Sequence, residues 1–110
     1  MKRITLVSLF FISSFLYSQA PFQIEWQKSI GGSMADFAYS IEPTSDGGFI
    51  VAGNSQSNDG DVAGNHGQTD VWVVKLYSDG QMSWKKTFGG SSFDGAHSIK
   101  QTADGGFIIA

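Results

Sequence analysis

The feature that most constrains this chain is a duplication. Residues 26–52 read WQKSIGGSMADFAYSIEPTSDGGFIVA, and residues 84–110 read WKKTFGGSSFDGAHSIKQTADGGFIIA. The offset is 58 residues throughout, without a gap, and 16 of the 27 paired positions are identical. Self-similarity at a fixed period marks a repeat architecture, in which each supersecondary unit buries its apolar face against a neighbour. Trp26 and Trp84 place a large apolar side chain at the same point of each unit. Gly31-Gly32 and Gly89-Gly90 each end a strand-like run. Asp46-Gly47-Gly48 and Asp104-Gly105-Gly106 separate two such runs, and Asp-Gly and Gly-Gly supply the positive φ angles of tight hairpin turns.

Ahead of the first copy the pattern is different. Met1-Lys2-Arg3 is basic, Ile4 to Tyr17 is mostly apolar, and Ser18-Gln19-Ala20 follows. A basic start, a short apolar run and small residues predict a secretory signal peptide over 1–18, cut between Ser18 and Gln19, with the mature chain at 19–110. The run is too short and too broken by serine for a membrane span of ~20 residues. Export then places the chain in a secreted or cell-surface setting, with no span left after the leader is removed. Losing Lys2 and Arg3 leaves five Lys and Arg against ten Asp and Glu, a charge of −5. That balance argues against nucleic acid or an anionic membrane as partner, since both call for a basic surface. A protein or carbohydrate ligand is the expected partner class.

There are no cysteines, so no disulfide is available to staple a small exported domain. Stability must then come from packing between neighbouring units. Fourteen glycines and few charges fit a turn-rich β protein, and no helical period of useful length is present.

Alternation predicts the strands. Ile24, Trp26, Lys28 and Ile30 share one side of a run, as do Met82, Trp84, Lys86 and Phe88 in the second copy. Phe37–Thr44 and Gly95–Thr102 read as further strands around Ile41 and Ile99. Phe49–Gly53 and Phe107–Ala110 are apolar on both sides, as interior strands are. Val71–Tyr77 is another strand, and Asn54–Asp70 is a long polar loop. One period therefore holds four short antiparallel strands, the content of one β-propeller blade. Copy 1 spans 26–83 and a partial copy 2 spans 84–110.

These residues carry a family resemblance. DGGF followed by two β-branched residues and Ala resembles the double-glycine strand of kelch-type blades. VWVVKLYSDGQMSWKKTFGG is similar to quinoprotein-type blades. Together, GGS-x-x-D, T-x-DGGF and the DVWVVKL…W run most resemble propeller repeats of large exported Bacteroidetes proteins, which often end in a C-terminal sorting domain. The resemblance implies an all-β fold of antiparallel four-stranded blades, about one and a half of them here. It implies an N-terminal fragment of a longer propeller with strand order 37–43, 48–53, 71–77, 81–88. It carries no catalytic residues.

Alternate connections of an antiparallel sheet share a face, so the loops at 31–36, 54–70 and 89–94 are expected together, opposite the glycine turns. Asp59, Asp61 and Asp70 are the candidate metal ligands of this loop face. Calcium is the cation whose oxygen-rich, flexible coordination they would suit, although the spacing does not match an EF-hand loop. No other cofactor is expected. Asp36 and Asp94 recur at the repeat offset, which points to a structural role in capping the turn that precedes the next strand. No nucleophile–base arrangement, phosphate loop or redox pair stands in the sequence. The expected function is a non-enzymatic binding or surface-display module. The alternative is the N-terminal part of an exported carbohydrate-active enzyme built on a propeller scaffold.

Overall fold

Residues 22–110 are described by a computed structural model, and the leader expected at 1–18 lies outside them. In chain order the strands are β1 (Asp36–Pro43), β2 (Phe49–Ser55), β3 (Asp70–Leu76), β4 (Met82–Phe88), β5 (Ile99–Gln101) and β6 (Phe107–Ile109). β1 to β4 form one antiparallel sheet in chain order, and β5 and β6 form a separate hairpin. The sheet is open, and the described residues contain no helix. The expected strand order is therefore found within the first unit.

The hairpin turns are copies of one another. Thr44 N donates to Gly48 O at 2.9 Å and Gly47 N to Thr44 O at 3.0 Å. Tyr77–Gln81 and Thr102–Gly106 repeat both bonds. The left-handed residue is Gly47, Gly80 or Gly105, with φ of 85°, 87° and 87°, the geometry of a type I turn closed by a glycine in αL. An aspartate precedes each glycine and accepts the amide two residues on: Gly48 N to Asp46 at 3.0 Å, Gln81 N to Asp79 at 3.0 Å and Gly106 N to Asp104 at 3.1 Å. Such Asx bonds are why Asp-Gly serves here.

Strands β2 and β3 are covered on both sides, and alternation sends their residues to two distinct layers. Ile50, Ala52 and Val73 go to one face, where they pack with Ala96 and Ile99 of the second unit and with Val71, Phe107 and Ile109. Trp72, Val74 and Leu76 go to the other, with Val62, Trp26, Ile30, Phe49, Val51 and Met82. The β5–β6 hairpin thus lies over the first face of the sheet, against β1 and β2. Polar ties fix its position. Ala96 N donates to Asn54 Oδ1 at 2.8 Å, Ser45 N to Gln101 Oε1 at 2.8 Å, and Ile99 N to Ser40 Oγ at 3.3 Å. Gly53 permits a bulge in β1 between Ala38 and Ser40: a Cβ at Gly53 would lie 1.8 Å from Phe37 O.

Three expectations are corrected. Residues 24–30 form no strand, although their alternation equals that of β4. β4 is a strand because β3 pairs with it, and no strand among the described residues pairs with 24–30. Alternation encodes a face, whereas a ladder also needs a neighbour to accept its hydrogen bonds. Trp26 nonetheless keeps its place, its Nε1 donating to Ser78 O at 2.9 Å and its ring resting over Gly80. The strand expected over 95–102 shrinks to Ile99–Gln101, since the chain before it is engaged with Asn54 and with the last residue. Trp84, expected as a buried anchor, is 40 % exposed, although its ring meets Phe107 edge-on.

Candidate functional site: the loop face

The three long loops do meet on one face, as the alternation argument requires. Asp36, at the start of β1, turns the first of them. Gly32 N donates to Asp36 Oδ2 at 2.8 Å, Ser57 Oγ donates to the same oxygen at 3.0 Å, and Ser55 Oγ donates to Oδ1. Asp94 repeats the turn, accepting from Gly90 N at 2.8 Å. The structural role expected for this pair is therefore what the geometry displays: a carboxylate four residues after the second glycine folds the GGS segment back on itself.

The long loop then stitches the two GGS loops to the sheet. On one side, Asp61 Oδ2 accepts from Gly31 N at 3.1 Å while Asp61 N donates to Gly31 O at 2.9 Å. Asp59 Oδ1 accepts from Ser33 N at 2.8 Å, and Ser57 Oγ from Met34 N at 3.0 Å. On the other side, Asp94 N donates to Thr69 O at 2.8 Å, and Thr69 bridges to Phe93. The middle is closed by Asn58, whose Oδ1 accepts from Gly64 N and Asn65 N, and by Thr87 Oγ1, which donates to Ala63 O and Gly64 O.

The candidate carboxylates are distributed between these two sides. Asp59 and Asp61 hold amides of the first GGS loop. The amide of Ser33, then its hydroxyl, holds the Asp59 carboxyl below the usual carboxylate range. Asp70 lies at the second loop with its side chain fully buried. Its Oδ2 accepts from His66 N and meets His66 Nδ1, both at 2.7 Å. Its Oδ1 has no hydrogen-bond partner among the described residues. Gly89 leaves the space for it: a Cβ there would stand 2.6 Å from Asp70 Oδ1 and 2.8 Å from Asp94 Oδ2. Among the described residues no group of three or more His, Cys, Asp or Glu side chains is placed to hold a metal. One oxygen each of Asp59 and Asp61 is taken by a backbone amide, while Asp70 lies apart from them at the second loop.

Among polar loop residues, the rim also presents large apolar side chains outward. Met34 is 59 % exposed, Phe37 51 % and Phe93 68 %. Phe37 stacks beside Tyr39 at 6.3 Å, and Tyr39 meets His97 at 5.2 Å. Tyr39 and His97 are the same position of the repeat, so successive units bring their equivalent rings together. A shallow cleft of about 420 Å³ opens at the base of the first loop, lined by Ile30, Gly31, Gly32, Met34, Asp36 and Asp61. Aromatic edges exposed on loops that internal hydrogen bonds hold in place are suited to contact with a ligand.

Sequence reasoning missed Ser55 and Ser57, both fully buried under Asp36. They fall outside the duplicated stretch, so no second copy marks them. It also missed Lys75. This lysine is buried, pairs with Asp46 at 3.0 Å and donates to Leu76 O at 3.0 Å. The Thr44 hydroxyl, the Gly48 amide and Lys75 together pull the Asp46 carboxyl far below its ordinary range. No helix among the described residues is long and apolar enough to cross a membrane. No family model matches the chain, and neither a curated protein nor a solved structure shows a significant likeness to it.

Proposed function

We propose that the two units are blades of an exported β-propeller that serves as a non-enzymatic binding or surface-display module. One observation carries this reading. The β5–β6 hairpin of the second copy lies face to face on the β1–β4 sheet and uses, at the repeat offset, the same kinds of residue. Face-to-face succession of four-stranded antiparallel sheets is how propeller blades follow one another. The signal-like leader supports export, and the acidic mature chain favours a protein or carbohydrate ligand over nucleic acid. Loops on a rigid scaffold are the usual location of binding residues. Here the exposed aromatic group of Phe37 and Tyr39 offers flat apolar area beside polar loop edges, the chemistry on which sugar rings and extended peptides stack.

The test is a binding screen of the exported protein against soluble polysaccharides and surface proteins, followed by tryptophan fluorescence and by an assay for released reducing ends. Binding that Phe37→Ser and Tyr39→Ser together weaken about tenfold or more, without turnover, supports the proposal. Release of reducing ends at an enzymatic rate would overturn the non-enzymatic part. Mass spectrometry of the secreted chain should find Gln19 at its N-terminus.

A further inference from the structure

Asp70 stands out among the buried side chains. Its carboxylate is fully buried, and Oδ1 has no hydrogen-bond partner among the described residues. A buried carboxylate with an unsatisfied oxygen is destabilising. Capping the His66 amide does not account for it. That amide needs only an oxygen, which serine or asparagine supplies without a charge. The loop uses both elsewhere: Ser57 accepts from Met34 N, and Asn58 from Gly64 N and Asn65 N. What an anionic carboxylate adds is a hold on the His66 ring. Asp70 Oδ2 meets His66 Nδ1 at 2.7 Å, and since a carboxylate has no proton to give, the imidazole donates. Local arrangements that work against stability gather at functional sites.

The ring held in this way is turned outward. The His66 side chain is 53 % exposed, and no hydrogen bond within the described residues engages its Nε2. With the proton on Nδ1, Nε2 offers a lone pair to solvent, and the carboxylate behind the ring makes it a stronger acceptor. The second GGS loop supplies the surroundings. Residues 66–70 and 90–94 run side by side: a Cβ on Gly67 would stand 2.6 Å from Gly90 O, Asp94 N donates to Thr69 O at 2.8 Å, and Thr69 bridges to Phe93. Phe93 and Gln68 are both exposed. Ala35, the repeat equivalent of Phe93, is exposed as well, although the long loop of its own unit is bonded to it through Gln56 N. An open position at this point therefore belongs to the repeat itself.

We propose that His66, positioned by Asp70, is a ligand-contacting residue of the loop face, and that with Gln68 and Phe93 it takes a neutral saccharide. A sugar ring turns an apolar C–H side to an aromatic ring and its hydroxyls to the polar groups around it. Nε2 accepts from one hydroxyl, and the Gln68 amide both donates and accepts. The acidic balance of the chain disfavours polyanionic glycans. The inference rests on the reading of the loop face as a binding surface, and adds to it a contact site other than Phe37 and Tyr39.

Calorimetry of the exported protein against soluble neutral glucan, mannan, xylan and galactan, with casein as a polypeptide probe, tests it. The decisive variant is His66→Asn. It keeps a donor in the place of Nδ1, so the bond to Asp70 survives, and removes Nε2. At least one of the four polysaccharides should bind. His66→Asn and Phe93→Ser should each weaken that binding roughly tenfold, as for one lost hydrogen bond or ring contact. His66→Gln, which carries its amide out to the place of Nε2, should recover part of the loss, and the melting temperature of His66→Asn should match that of the wild type. Nitrogen-15 spectra should find the His66 proton on Nδ1 in the wild type and no longer confined there in Asp70→Ala; if circular dichroism shows that Asp70→Ala has lost its β signal, the wild-type spectrum and His66→Asn decide. A wild-type proton on Nε2 would overturn the proposal, as would a loss of binding in His66→Asn matched by a loss of stability. Polysaccharide binding that His66→Asn leaves unchanged, while Phe37→Ser with Tyr39→Ser weakens it, would overturn this inference and leave the wider reading of the loop face standing. Binding to casein alone would overturn the saccharide assignment. Failure to bind any of the probes would overturn the inference and the wider reading together.

Discussion

Ile41 and Ile99 are the same residue of the repeat in two surroundings, and the two faces of the sheet differ as they do. On the face under the hairpin, Ile50, Ala52, Val73, Ala96 and Ile99 are sealed from water. On the opposite face Trp72, Val74 and Leu76 are buried near the long loop and Met82, while Ile41 stands clear beside a groove. Both faces have apolar residues at alternating positions, so composition does not separate them. The difference is whether another unit lies on top. In a repeat protein, burial is a property of the neighbour as much as of the residue.

The largest effect should come from truncating the same residue on the two faces. Ile99→Ala should cost about 2–4 kcal/mol, the range for a buried aliphatic that leaves a cavity. Ile41→Ala should cost under about 0.5 kcal/mol in dilute solution. Urea unfolding measures both, and equal losses would mean that the hairpin does not cover Ile99 in solution. Next comes the backbone. Gly53→Ala puts a Cβ into the Phe37 carbonyl, and overpacking of this kind costs about 1–3 kcal/mol. Gly47→Ala, with φ of 85° but open space around it, should cost only about 1 kcal/mol. A reversal would show that β1 is free to move off its bulge.

The tryptophans sharpen the comparison further. Trp84 keeps its edge contact with Phe107 but is partly in water, so Trp84→Ala should cost about 1–2 kcal/mol, below the ~3–5 of a sealed aromatic. Trp26→Ala should cost at least as much, since Trp26 also donates to Ser78 O and rests on Gly80. Acid should then weaken both units together. Asp46, Asp59 and Asp104 have folded-state carboxyls below their unfolded range, so the stability they contribute is present above it and is lost as pH falls through it. Melting should therefore be flat from neutral pH down to about 5 and fall below about 4. Asp104→Asn should reduce that fall; an unchanged profile would mean that the turn bonds do not persist in solution. The smallest effect concerns calcium. With Asp59 and Asp61 already accepting amides, millimolar Ca²⁺ should move the melting temperature by less than about 1 °C. A rise of several degrees that Asp59→Asn with Asp61→Asn removes would place a cation among them.

Much of this organisation is legible in the residues. The constant offset foretells two equivalent units, and the observed Trp–Phe pairs and Asp-capped glycine loops obey it. Asp-Gly marks all three tight turns, because the aspartate carboxylate caps an amide locally and glycine tolerates φ near 87°. Strand alternation assigns Ile50 and Val51 to opposite faces, since a pleated backbone allows nothing else. These are short-range properties, and they hold wherever the chain goes.

Other features depend on what lies across a gap in the chain. The run 24–30 has the alternation of a strand but no strand beside it, whereas β4, with the same pattern, has β3. Asp59, Asp61 and Asp70 share a loop in the sequence, yet the fold gives the first two to amides at 31 and 33 and closes the third beside Gly89. Ser55 and Ser57 show their purpose only once Asp36 is brought over them. Residue identity sets which groups are able to bury themselves or bond. Which of them do is settled by the long-range pairing of β1 with β2 and of the hairpin with the sheet, because hydrogen bonds and dispersion act over a few ångströms and only the assembled fold brings those groups that near.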